Sequence, residues 1–317
     1  MIDGNALVIA VHDESVIDPL TAELVTAARE VANSVTLGIV AANPEKLAEL
    51  AVIEGVVEIV GTEVHSDRYQ PDGYCRAVEV LIDEVKPRIV IMGFTVGVAS
   101  YAAALANRRG FGFAADVIAL AEEPEQLIAT RALYGGKLHG DFDLDASIPA
   151  IILCRPAVWS AAGPGPNQHP YREIPSELRP SAIECIEAIA HPDDEANLAG
   201  ADIVFCIGRG IGSKERIPLF EEISERIGAE LGASRPVVDS GWLPSTRQIG
   251  QSGQTVKPRV YVAFGVSGSL QHLAGIWGSE KIVAINLDAS APIFSVAHVG
   301  AVADMFDVVD ELQKLVQ

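Results

Sequence analysis

Asp202-Ile-Val-Phe-Cys-Ile-Gly-Arg-Gly-Ile-Gly-Ser213 opens the C-terminal part of the chain with an apolar run that breaks into alternating glycines. Asp202–Ile207 is short, β-branched and aromatic, which predicts a buried strand. Glu215–Leu231 repeats apolar residues at helical spacing, which predicts a helix. Strand, glycine turn and helix in that order suit an anion. Glycines let the backbone come close, and a helix N-terminus offers free N–H donors and a positive dipole. The spacing is GxGxG rather than the GxGxxG of the dinucleotide fingerprint, so this turn alone equally fits a plain strand–helix connection.

The layout recurs downstream. Val260–Phe264 predicts a strand, and Gly265-Val-Ser-Gly-Ser-Leu-Gln-His272 leads into a helix over Ser269–Gly275. Two further stretches lie between these turns. Ser234-Arg235 precedes a strand predicted over Pro236–Val238, and Gln248-Ile-Gly-Gln-Ser-Gly253 is a polar, glycine-rich loop with several side-chain donors. Strands are predicted at Lys281–Ile285 and a closing helix at Val302–Lys314. Loops gathered at the carboxyl ends of successive strands are where open α/β sheets bind nucleotides.

Upstream, strands predicted at Ala6–Val11, Val35–Val40, Val56–Val60 and Arg88–Met92 alternate with helices at Pro19–Ala32, Glu45–Ile53 and Tyr74–Val85. This rhythm predicts a parallel sheet covered on both faces. Gly93-Phe-Thr-Val-Gly97 is a turn before a helix at Ala99–Asn107. Beyond Ala114 the rhythm weakens: strands are predicted at Leu127–Leu133 and Ile148–Cys154, with a tight turn at Gly135-Gly136. Ala161–Arg179 is proline-rich and irregular, and Ile183–Ile189 reads as a last strand. The polar run His191–Asn197 reads as a linker, which divides the chain into an α/β domain over 1–190 and a second over 191–317.

Composition narrows the function classes. The chain has 317 residues, 49% hydrophobic, with 43 acidic against 23 basic side chains and a formal net charge of -20. That surface favours solubility and basic partners and repels nucleic-acid phosphates. Cys75, Cys154, Cys185 and Cys206 are dispersed without a CxxC pair, which argues against a metal cluster or disulfide framework and fits a reducing cytoplasm. The N-terminal run lacks the basic flank and long apolar segment of a signal peptide, and no apolar stretch is long enough to span a bilayer.

The order of the downstream motifs resembles the FAD domain of electron transfer flavoprotein alpha subunits. The likeness runs from Gly208 to Leu312. It is carried by Gln248-Ile-Gly-Gln-Ser-Gly253, Val256-Lys-Pro-Arg-Val-Tyr-Val-Ala263, Gly265–Gly275, Ile282-Val-Ala-Ile-Asn286, Ala291-Pro-Ile-Phe294 and Val302-Ala-Asp-Met-Phe306. In the first domain it rests on the α/β rhythm and Thr130–Gly136. The resemblance implies an N-terminal nucleotide-hydrolase-like α/β domain and a C-terminal Rossmann-like FAD-binding domain.

It also implies roles. Arg209 corresponds to an FAD contact, Ser234 to a pocket hydroxyl, and Arg235 to the arginine over the isoalloxazine ring. Ile249, Gly250, Gln251 and Ser252 correspond to the loop facing the flavin edge, with Ser252 where threonine is usual. Ser267, Gly268, Ser269, Leu270 and Gln271 correspond to the pyrophosphate-side turn, and His272 to the histidine near the pyrimidine carbonyl. Asn286 and Asp304 correspond to contacts toward the adenosine, and Met305 to a further cofactor contact. Leu287, His298-Val299 and Pro236 depart from the family pattern, outside these contacts.

The resemblance further implies an electron carrier without substrate chemistry of its own. Its partners would be a beta subunit in a heterodimer, flavin dehydrogenases such as acyl-CoA dehydrogenases as donors, and a quinone oxidoreductase or other acceptor, as in fatty-acid β-oxidation. Two alternatives use the same residues. An NAD-dependent Rossmann oxidoreductase would place Asp239 at a strand end to hold a ribose, though later than the usual spacing of about 20 residues. A non-catalytic nucleotide module would use Gly93–Gly97 as its phosphate turn.

Overall fold

The computed structural model describes residues 2–13, 15–64, 69–123, 125–134, 138–176 and 198–315. The chain divides into two compact units, Met1–Ala188 and Ile189–Gln317. The strand expected at Ile183–Ile189, the linker at His191–Asn197 and the Gly135-Gly136 turn lie outside the described residues.

The first unit opens with β1 (Ile2–Ile9), α1 (Leu20–Val31), β2 (Ala32–Ala41), α2 (Pro44–Leu50), β3 (Val56–Glu63), α3 (Pro71–Val85) and β4 (Ile89–Gly93). Two helices follow, α4 (Val96–Ala99) and α5 (Ala102–Arg109), then strands β5 (Gly112–Glu123), β6 (Gln126–Leu133), β7 (Leu138–Asp145), β8 (Ala150–Cys154) and β9 (Tyr171–Glu173). They form one nine-stranded sheet, ordered β7-β6-β5-β8-β4-β1-β2-β3-β9. β1, β2, β3, β4, β8 and β9 pair in parallel, as the alternating rhythm predicts. Every residue of β4 and β8 is buried, because helices cover both faces. Leu24, Val25 and Ala28 of α1 pack on one face. Val78 and Leu81 of α3 and Leu105 of α5 pack on the other.

β5 and β7 escape sequence reading. β5 runs parallel to β8 and then antiparallel to β6, and β7 pairs with β6 in unbroken register from Gln126↔Asp145 to Leu133↔Leu138. β7 reads LHGDFDLD, almost wholly exposed. Its strand state comes from ladder pairing rather than from an apolar pattern.

The second unit contains β10 (Ile203–Ile207), α6 (Ile217–Ile227), β11 (Glu230–Ala233), α7 (Arg235–Asp239), β12 (Val260–Phe264), α8 (Leu270–Ala274), β13 (Lys281–Asn286), β14 (Val299–Val302) and α9 (Met305–Leu315). Its five strands are all parallel, ordered β11-β10-β12-β13-β14. Two expectations fail here. The helix expected to reach Leu231 stops at Gly228, whose left-handed φ of 74° ends it, and the chain re-enters the sheet as β11. Pro236–Val238, expected as a strand, is helical. Proline's fixed φ and missing N–H suit the first turn of a helix, and Pro236 sits there.

Candidate cofactor-binding site

β10 leads through α6 to β11 on one side of the sheet, whereas the chain returns on the other side as β12. The turns after β10 and β12 therefore part at a topological switch point, and a cleft of about 650 Å³ opens there. The two turns are held together by backbone. Gly208 N–H donates to Phe264 O at 2.8 Å and Gly210 N–H to Gly265 O at 3.3 Å. A Cβ on Gly208 would lie 2.1 Å from Gly265 O. The glycines of the first turn thus admit the neighbouring loop, and the amides of Gly208 and Gly210 are used for that packing rather than left for an anion.

Five segments reach this cleft, the last running from Asn286 to Pro292. Arg209 comes from the first turn. Ser234, Arg235 and Asp239 come from the start and end of α7. Ser234 is buried, its N–H donating to Ile207 O at 3.0 Å, so the end of β10 fixes where α7 begins. The Arg235 side chain is 68% exposed, and its Nε lies 3.3 Å from Asp239 Oδ2, one helical turn on.

The third segment is the loop containing Gln248, Ile249, Gly250, Gln251 and Ser252. Gln251 N–H donates to Gln271 O at 2.8 Å, which stitches the loop to α8, and within the loop Gln248 Nε2 donates to Ser252 Oγ at 2.9 Å. The Ser252 O–H is the group left to donate. The fourth segment supplies Ser267, Gly268, Ser269, Gln271 and His272. Gly268 has φ 81°, and a Cβ there would stand 2.5 Å from Ile293 N, so a side chain would push this turn off its support.

His272 is almost fully buried. Its Nδ1 lies 3.1 Å from Ile249 O, and its Nε2 lies 2.8 Å from the Tyr261 hydroxyl. A carbonyl can only accept, so Nδ1 carries the proton and Nε2 accepts from Tyr261 O–H. Burial lowers the imidazole to about 4 from 6.5, against a smaller upward pull from the Ile249 carbonyl. At neutral pH the cleft wall here is an uncharged ring with both nitrogens engaged. The positive charge on the cleft comes from Arg209 and Arg235.

Asn286 is also engaged at both ends: Nδ2 donates to Val266 O at 3.0 Å, and Oδ1 accepts from Asp288 N–H at 3.0 Å. It clamps the end of β13 to the second turn. Three expected residues do not line the cleft. Leu270 is half exposed. Asp304 accepts from Phe306 N–H at 3.0 Å and so caps α9. Met305 is buried in the core, behind Gly265. Several lining residues were not among the expected FAD contacts: Gly210, Pro236, Gln248, Gly265, Val266, Asp288, Ala291 and Pro292, with Asp239 expected only in the NAD alternative. Pro236 was hidden by the strand expectation. Gln248, Ala291 and Pro292 stood inside the quoted motifs and could have been found there. The NAD alternative loses its basis, because Asp239 ends a helix and pairs with Arg235, while the strand before it ends at Ala233.

The donor set fits FAD. Guanidinium groups and serine hydroxyls suit a pyrophosphate, amide side chains suit a pyrimidine edge, and the volume falls within the roughly 300–1,000 Å³ of cofactor pockets. The model of the family described as "Electron transfer flavoprotein FAD-binding domain" matches residues 197–277, and that of "Electron transfer flavoprotein domain" matches residues 6–177. The electron transfer flavoprotein subunit alpha of Methylophilus methylotrophus is 34% identical over 316 residues, 98% of both chains. The chain belongs to the electron transfer flavoprotein alpha family. The family is one of electron carriers, and the cofactor of its C-terminal domain is FAD. The electron transfer flavoprotein subunit alpha of Mycobacterium leprae is 31% identical, covering 98% of this chain and 97% of that one. Subunit LctC of a lactate dehydrogenase (NAD(+),ferredoxin) from Acetobacterium woodii is also 31% identical, covering 96% and 75%. Among the described residues no helix is long and apolar enough to cross a membrane, and no cluster of metal-ligating side chains occurs.

Proposed function

We propose that this chain is the FAD-carrying half of a heterodimer with a beta subunit, accepting electrons from flavin dehydrogenases and passing them to a quinone oxidoreductase or another acceptor. Acyl-CoA dehydrogenases in cytoplasmic fatty-acid β-oxidation are the proposed donors. The observation that carries the reading is the convergence of the loops bearing Arg209, Arg235, Ser252 and His272 on one cleft at the switch point of the second sheet. Residues 191–317 would form the FAD domain, and residues 1–190 the domain that meets the beta subunit.

Bound FAD supplies the redox chemistry, and this chain's residues set its environment. Arg235, on the cleft wall, would supply a cation to offset the negative charge that bound FAD gains on reduction, moderated by its ion pair with Asp239. Gln251 and the Ser252 hydroxyl offer donors from a loop fixed to α8. His272 contributes a neutral, rigid wall rather than a second cation. Ser267 and Ser269 would hold the pyrophosphate, with Asn286 keeping their turn in place. No nucleophile or general base is needed, since electrons alone move.

Co-expression with a beta subunit, an absorption spectrum and stepwise dithionite reduction test the proposal. A yellow heterodimer that accepts electrons from an acyl-CoA dehydrogenase is expected. A colourless product would overturn the FAD reading. A yellow product that no flavin dehydrogenase reduces would overturn the donor assignment.

A further inference from the structure

The first unit repeats, in a different sheet, the topological feature that opens the FAD cleft. β1 and β4 are neighbours, but β1 continues through α1 to β2 on one side, while β4 borders β8 on the other. The turns leaving their carboxyl ends part, and a cavity of about 340 Å³ lies between them. The Gly93–Gly97 turn singled out in the sequence forms part of its wall.

The chemistry of this cavity differs from that of the FAD cleft. Tyr69 and Tyr74 stand with ring centroids 4.7 Å apart at 48°, forming an aromatic corner. Tyr69 is 43% exposed, and its hydroxyl donates to Gly97 O at 2.6 Å, which ties the ring across the turn. Tyr101 lies on the wall, 6% exposed, and among the described residues its hydroxyl meets only the Met92 sulfur, at 4.0 Å. A thioether is a weak acceptor, so this buried phenol is a donor short of a good partner. Burial raises its pKa further above the usual 10, so it keeps its proton. His12 is fixed at 2.8 Å from Val40 O. Asp13 puts a carboxylate at the rim, held below its ordinary range by the Ser15 hydroxyl. A rim carboxylate opposes phosphate and can accept from hydroxyls.

We infer that this cavity is a second ligand site, taking a nucleoside-sized planar heterocycle without phosphate. The tyrosine corner offers its face to the ring, Tyr101 donates to a ring acceptor, and Asp13 accepts from ligand hydroxyls. This inference stands apart from the FAD cleft, which lies in the other unit.

Adenosine is a suitable probe, titrated calorimetrically into the FAD-loaded heterodimer, with AMP as the charged comparator. FAD already fills the adenine-binding part of its own cleft, so that cleft does not compete. Saturable adenosine binding is expected, with AMP at least tenfold weaker. Tyr69→Ala, at a half-exposed position, should weaken adenosine at least tenfold. Tyr101→Phe, which keeps the ring and removes the donor, should weaken it several-fold, while Tyr69→Phe retains binding. Circular dichroism and an unchanged melting profile verify folding of each variant, since the altered residues lie in the unit without the flavin. Absence of saturable heat to millimolar adenosine, or equal affinity in wild type, Tyr69→Ala and Tyr101→Phe, would overturn the site. AMP binding more tightly than adenosine would overturn the uncharged ligand class.

Discussion

Replacing His272 by glutamine should flatten the loss of stability that the wild-type protein suffers on mild acidification. In the folded state burial holds this imidazole at about 4, while the unfolded chain titrates near 6.5. As pH falls below 6.5 the unfolded state takes up a proton that the folded state refuses, so stability drops until the pH passes the folded value. The whole difference of 2.5 units is worth about 3 kcal/mol, and about 2 kcal/mol of it falls between pH 7 and 5. His272→Gln removes that component and leaves the carboxylate contributions common to both proteins. At pH 7 the variant is itself weaker by about 1–3 kcal/mol, because Tyr261 and the Ile249 carbonyl lose their partners. Urea unfolding at pH 7, 6 and 5 measures both effects, with the pH slope as the diagnostic. Equal slopes in the two proteins would refute the neutral, doubly bonded ring. So would histidine nitrogen NMR that showed His272 titrating near 6.5.

Gly208→Ala puts a methyl group against the Gly265 carbonyl, and both atoms belong to backbone that cannot step aside; the variant should lose about 2 kcal/mol or more and purify with little flavin, as read by thermal melting and the flavin-to-protein absorbance ratio. Arg235→Ala should lower the potential of bound FAD by some tens of millivolts, on the order of 1 kcal/mol per electron, because a guanidinium this exposed is well screened. Asp239→Asn should shift the potential the opposite way by freeing that cation, and spectroelectrochemistry in which both variants matched wild type would remove Arg235 from the site. In the first unit, Arg155 grips Asp116 through two bonds of 2.7 Å with both side chains mostly buried, so Asp116→Asn should cost about 2–3 kcal/mol by urea unfolding. Asparagine tolerates the left-handed φ of 61° at position 116, which isolates the charge from the backbone.

The central strands of both sheets were readable because burial on both faces leaves apolar runs such as Ile89–Gly93 and Ile203–Ile207 with little else to be. Pro236 misled because proline is equally at home at a strand's start and in a helix's first turn. The sheet decided between them by recruiting Glu230–Ala233 as β11. β7 had no apolar pattern to read, and only the ladder offered by β6 makes it a strand. Of the cleft, Arg209, Ser234, Arg235, the Ile249–Ser252 loop, Ser267–Ser269, Gln271 and His272 were legible as loop chemistry at strand ends, and Asn286 through the family resemblance. Met305 and Asp304 were legible as motif members, but packing behind Gly265 and capping of α9 turned them away from it.

Local composition determined the two α/β sheets, the order of the polar turns and the family to which they belong, because these depend on periodicity and on residues adjacent in the chain. Tertiary structure alone decided what each group can do. The glycines of the first turn serve loop-to-loop packing, since their amides meet Phe264 and Gly265. His272 is neutral because Tyr261 and Ile249, distant in sequence, close around it and exclude water. Protonation state and free donor capacity are properties of surroundings, and the surroundings of a side chain exist only once the chain has folded.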